Sequence, residues 1–223
     1  MVSRGFSTHL YDATRTSVIS AMQDRCKNVL RTEKNNWSAH AGEAYILAAT
    51  GLEAFVNETI AINCWNTKTN DLLPIDEIQD LELRQKILLV PLLFNVSTFD
   101  KASRPFQDLN VLVRLRNDLV HYRMRMYRSG KGPKYLQTLR DRNVLLSCEG
   151  YRDMVWLDDI LTFRGAYWAY ETMLLMTRVF LELLSRNAKL SLAMPHEYPA
   201  PSGFDEAYKE LCTEYPTGNV KSS

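Results

Sequence analysis

A chain of 223 residues, 46% hydrophobic and 24% charged, has the length and apolar content for one well-buried domain. Nine glycines and eight prolines are too few for the many tight turns of an all-β fold. A net charge of +1 excludes a protein whose partner is announced by overall charge.

Cys26, Cys64, Cys148 and Cys212 lie far apart and form no C-x-x-C pair, so neither a zinc site nor a disulfide framework is expected. Scattered thiols fit a cytoplasmic protein. Met1 to Tyr11 has no apolar signal core. The run Met173-Leu174-Leu175-Met176 is short and followed by Arg178 and Glu182, so it does not read as a membrane span. A soluble, cytoplasmic chain is expected.

Helical spacing of Leu10, Val18, Ile19, Met22, Cys26, Val29 and Leu30 predicts a first helix over 8–32. A second runs from about Ser38, which can cap it, to Trp65. Its buried faces draw on Ala44, Ile46, Leu47, Leu52, Ala54, Phe55, Ile60 and Ile62. Inside it, Glu53 and Asn57 stand one turn apart, either as a surface hydrogen-bonded pair or as a polar pair turned towards another helix. Asp76 and Gln79 form a candidate capping box. A helix over 81–90 should stop at Pro91, followed by irregular chain from Phe94 to Arg104.

Pro105 suits a first helical turn, and the helix it opens should reach about Tyr127. The segment Arg128-Ser129-Gly130-Lys131-Gly132-Pro133 then breaks it. A short helix over 135–142 and an ambiguous stretch over 143–148 follow. A last long helix over 162–186 carries Ala166, Trp168, Ala169, Met173, Met176, Val179, Phe180 and Leu183 as core residues rather than a cofactor box. The expected architecture is all-α: a helical bundle of four to six helices in one domain over 1–194. A Pro-containing tail over 195–223 has one weak helix from Phe204 to Tyr215.

The helix after Pro105 holds the most unusual chemistry. Leu109, Leu112, Val113, Leu115, Leu119, Val120, Met124 and Met126 cover more than half its circumference, enough for a second packing partner such as another copy of the chain. Asn117 and His121 are one turn apart and can meet. Arg116 projects into the apolar arc and lies about 140° from His121, so one straight helix does not aim both at one point. A dimer could bring Arg116 and His121 of two chains into one cleft; alternatively Arg116 snorkels along its stem.

Arginine, amide and histidine together suit phosphodiester chemistry. Histidine can move protons near neutrality, and arginine offers a permanent charged fork to a phosphate. RNA carries its own nucleophile, the 2′-hydroxyl, so no metal or other cofactor is required. Nine basic and two acidic residues lie between Arg114 and Arg142, among Tyr122, Tyr127 and Tyr135. That segment reads as a single-stranded RNA contact, with Arg114, Arg123, Arg125, Arg128 and Lys131 as candidates, or as a solvated basic face. Arg4 and His9 share the Arg116–His121 spacing, but lie outside any strong apolar pattern.

Leu115-Arg116-Asn117-Asp118-Leu119-Val120-His121-Tyr122 resembles the R-x4-6-H signature of the HEPN superfamily (higher eukaryotes and prokaryotes nucleotide-binding). Leu52 to Glu58 resembles the earlier helix of many microbial members, and Ala166-Tyr167-Trp168-Ala169 their closing helix. The resemblance spans roughly Ser38 to Arg186. It implies a dimeric α-helical bundle whose catalytic members are metal-independent endoribonucleases of toxin–antitoxin, phage-defence and RNA-processing systems. Carried over, His121 would be the base or acid, Arg116 the phosphate clamp and Asn117 the positioning group. Glu53, Asn57 and Tyr122 would support them. The implied products are a 2′,3′-cyclic phosphate and a 5′-hydroxyl, and the implied partners are RNA, a second copy and an antitoxin or defence protein. Members paired with a nucleotidyltransferase antitoxin often have tyrosine two places after the histidine. Arg123 stands there, which argues against a tyrosine-modifying antitoxin. The alternatives are a non-catalytic HEPN-like module binding nucleotide, RNA or protein, and an unrelated helical interaction protein with His121 as an interface residue.

Overall fold

A computed structural model describes residues 6–30, 38–67, 74–121, 133–142, 144–145 and 156–186. The chain divides into two compact units, Met1–Ala193 and Met194–Ser223. The second, with the expected tail helix, lies outside the described residues.

The described part of the first unit is all-α. Its helices are α1 (Phe6–Leu30), α2 (Ala39–Thr67), α3 (Ile75–Gln79), α4 (Leu83–Leu93), α5 (Arg104–Val120), α6 (Leu136–Asp141), α7 (Trp156–Ile160) and α8 (Phe163–Leu184). The long α2 is the hub, in contact with α1, α3, α4, α5 and α8. Its sequence explains that position. Ala41, Ala44, Ala48 and Ala49 let neighbours come close, while Tyr45, Leu52, Val56 and Ile60 fill the space between them, all fully buried. At Gly51 an added Cβ would stand 3.3 Å from Leu10 Cβ and 3.4 Å from Met173 Sδ, so α1 and α8 both approach α2 there. Ile62, expected in the core, is 38% exposed. By length and composition alone, Ala39–Cys64 could cross a membrane, a test that the core helix of a soluble protein also passes.

The buried stripe of α1 is Ser7, Tyr11, Thr14, Ser17, Val18 and Ala21; of the expected apolar positions Val18 is in it, while Leu10, Ile19 and Met22 are half-buried. Half of that stripe, Ser7, Thr14 and Ser17, is polar, which obscured its phase, and hydrogen-bond partners offset its burial. Ser7 donates to Glu58 at 2.6 Å, Thr14 to the Leu10 carbonyl at 2.7 Å, and the Tyr11 and Thr177 hydroxyls meet. At the far end of the bundle, the Tyr45 hydroxyl donates to the Ile160 carbonyl at 3.0 Å. Complete burial pushes its pKa well above the usual tyrosine range. Gly165 is required beneath it, because a Cβ would overlap both the Tyr45 hydroxyl and the Ile160 carbonyl. Thr162 caps α8 by accepting from the Gly165 N–H at 3.2 Å.

Several local expectations are corrected. Asp76 and Gln79 form no capping box: α3 begins after Pro74 with no side-chain cap. The box lies one helix later, where the Glu82 N–H donates to Gln85 Oε1 at 3.0 Å. Ser38 stands immediately before α2, where a cap is expected, and its hydroxyl donates to Asp24 at 2.7 Å. Pro91 does not stop α4, which continues to Leu93. The turn closes through Val96 N–H to the Pro91 carbonyl at 2.8 Å. Near a C-terminus, one lost backbone donor is a small penalty against the burial of Val90 and Pro91.

Candidate functional site around Glu53 and Arg116

Ser103 precedes α5 in an extended conformation and Pro105 occupies its first turn, as its fixed φ favours. The helix then dives into the core. Phe106, Leu109, Val111, Leu112, Val113 and Leu115 are buried, and this wide apolar arc is covered by α2, α4 and α8 of the same chain. Further along the same arc, Leu119 is half-buried and Val120 is 50% exposed, as the last two turns climb out. Arg116, Asn117 and Asp118 are half-buried and His121 is exposed. The helix ends at Val120 rather than near Tyr127. His121 leaves the helical region at φ −105°, ψ 42°, and its backbone N–H donates to the Asn117 carbonyl at 2.9 Å.

Arg116 does not snorkel freely. Its Nη2 donates to Glu53 Oε2 at 3.0 Å, joining α5 to α2. Of the two readings of Glu53, the one turned towards another helix holds. The other oxygen, Oε1, accepts from Lys86 Nζ on α4 at 3.0 Å. The side chain of Lys86 is only 1% exposed, against 25% for Arg116 and 26% for Glu53. A charge so deeply buried requires a partner, and Glu53 supplies it. Two cations thus share one carboxylate, leaving a single surplus positive charge. Two polar atoms beside this cluster are buried without a partner: Arg116 Nε, and Oδ1 of Asn57, one turn along α2 from Glu53.

Among the described residues, no hydrogen bond joins the His121 ring to Arg116 or Asn117. On ideal helical geometry position 121 would lie about 7.5 Å along the axis from position 116 and about 140° around it. His121 is instead the non-helical C-cap of α5. Arg114 is exposed. Tyr122, Arg123, Arg125, Arg128 and Lys131, with Tyr127, Met124 and Met126, lie outside the described residues.

The basic segment is partly spent within the fold. Asp108, 6% exposed, accepts from Arg142 Nε at 3.0 Å and faces Arg104 Nε at 3.5 Å. Tyr135 is buried and donates to Asp118 at 2.5 Å, so its ring is not a free platform for a base. Through Asp108 and Asp118, the segment around α6 is fastened along the motif helix. Sequence reasoning missed both Lys86 and Asp108, although a signal was present. Lys86 stands in the stripe Leu83, Ile87, Val90 at helical spacing, and Asp108 lines up with Leu112 and Leu115. A charge inside an apolar stripe is itself the signature of a buried ion pair.

Among the described residues, no group of three or more His, Cys, Asp or Glu side chains gathers as metal ligands. No protein-family model, curated protein or solved structure matches the chain.

Proposed function

We propose that this protein is a metal-independent endoribonuclease of the HEPN type, acting in a microbial toxin–antitoxin, phage-defence or stress system. The observation that carries the reading is the oriented but under-used guanidinium of Arg116, with an unpartnered Nε. Glu53 holds it at the edge of the core, five residues before an exposed histidine. The 2′-hydroxyl of RNA attacks the adjacent phosphorus and the bond to the 5′-oxygen breaks. His121 takes the attacking proton or supplies one to the leaving oxygen, and Arg116 balances charge on the phosphoryl oxygens. Products are a 2′,3′-cyclic phosphate and a 5′-hydroxyl. Because Arg116 and His121 diverge along one helix, the cleft takes them from two copies of the chain. Exposed Val120 beside His121 offers apolar surface for that contact.

A second reading is a non-catalytic HEPN-like module that binds nucleotide, RNA or a protein. The engagement of Arg116 by Glu53 favours it, since a structural ion pair needs no chemistry.

The test is cleavage of total RNA in the presence of chelator, comparing the natural protein with His121→Ala. Cleavage by the natural protein alone, leaving cyclic-phosphate ends, is expected, with a loss of at least about 100-fold in the variant. No cleavage by either, from a folded protein that still binds RNA, moves the assignment to the binding module. A monomer at micromolar concentration would remove the shared cleft.

A further inference from the structure

We propose that Lys86 is a positioning residue: by holding Glu53 to a one-oxygen grip on Arg116, it leaves the guanidinium charge uncancelled and open to a phosphate group. The inference rests on the reading that Arg116 meets RNA phosphate, and it adds a residue that reading does not contain.

A carboxylate with no other charged partner frequently pairs with a guanidinium as a fork, through two parallel bonds that occupy two of its nitrogens. That fork is absent here. Nη2 of Arg116 meets Oε2 of Glu53, while Nε is buried without an acceptor. The other oxygen is already engaged, with Lys86 Nζ bound to Oε1 at 3.0 Å. Lys86 cannot turn to solvent for a counter-charge, because its side chain is 1% exposed. Nor does it present the surplus charge of the cluster. Arg116, a quarter exposed, is the member through which an anion can reach that charge. Remove the lysine charge and both oxygens of Glu53 become free to close on Arg116. The cluster is then neutral and the clamp consumed.

Lys86→Met keeps the length and the apolar stem; Lys86→Leu serves the same purpose should the methionine variant unfold. Two readouts separate this inference from the ribonuclease assignment. The first is the Arg116 Nε–H resonance in protein labelled with 15N-arginine, assigned by its loss in Arg116→Lys. It should move downfield in Lys86→Met and exchange more slowly with water, as Nε gains Glu53 as acceptor. An unchanged resonance in the folded variant overturns the inference, whatever RNA does. The second is binding of a 2′-O-methyl RNA oligonucleotide, which offers no 2′-hydroxyl nucleophile. Binding should weaken about tenfold in Lys86→Met, with the slope of log affinity against log salt falling by about one.

Adding Glu53→Gln to Lys86→Met restores the single surplus charge and frees Arg116. Affinity should return to within about twofold of the natural protein and the resonance should move back. A purely structural lysine would give no such recovery from a second change in the same packing, and failure to recover counts against the inference. If the natural protein binds no oligonucleotide but the resonance still moves, the RNA assignment falls and the positioning role stands.

Discussion

Helix α5 takes part in two clusters that have the same composition, one carboxylate and two cations, and opposite burial. Near its start the carboxylate is the buried partner: Asp108 is 6% exposed, with Arg142 at 22% and Arg104 at 66%. Near its end a cation is buried, Lys86 at 1%, while Glu53 and Arg116 are each about a quarter exposed. The buried member sets what each cluster can do. The buried carboxylate of Asp108 draws Arg142 inward and spends it on the fold. A buried lysine occupies half of its carboxylate and leaves the second cation under-used. The first arrangement fastens α6 to α5; the second leaves a charge available at the surface.

The sharpest way to break this comparison is Glu53→Gln, which strands Lys86 in the core. A loss of about 3 kcal/mol in urea unfolding is expected. A loss under about 0.5 kcal/mol, the usual scale of a surface pair, would mean that Lys86 does not depend on Glu53. In the other cluster, Arg142→Met takes the shorter of two contacts from buried Asp108 and should cost about 2 kcal/mol. An effect equal to or larger than that of Glu53→Gln would reverse the ranking. Tyr135→Phe deletes the bond to Asp118 and should cost about 1 kcal/mol. Amide exchange over α6 would show whether that bond helps to fasten the segment. Arg104→Met should do least, at most about 0.5 kcal/mol, because Arg104 is mostly exposed and 3.5 Å from Asp108. A loss above about 1 kcal/mol would make the two arginines equal partners, contrary to their burial.

Much of the fold was legible. Every long helix was anticipated, because apolar residues at helical spacing need no knowledge of their partners. Pro105 announced a helix start by its fixed φ. What failed depended on competition between alternatives. Pro91 is tolerated because the helix closes within two residues of it and the core repays burial of Val90. Leu10, Ile19 and Met22 lost to a half-polar stripe whose hydroxyls and serines found partners on α2 and α8. The short helix expected over 135–142 is α6, whereas α7 was not anticipated, being too short for periodicity to reveal. At the site, the Arg116 neighbourhood was marked by a charge among apolar residues. The pairing was not, since Glu53 is 63 positions from Arg116 and 33 from Lys86, and no local spacing connects them.

The sequence by itself determined the helical class, the positions of the long helices and the placement of Arg116 and Asn117 on one helix with His121 at its end. These follow from local sterics and from a period that each segment carries alone. Tertiary structure decided which charges are buried, which carboxylate each cation faces, and that Tyr135 and Arg142 are used inside the fold. Burial depends on what neighbouring helices cover, and an ion pair depends on residues that only the packed bundle brings within about 3 Å of one another.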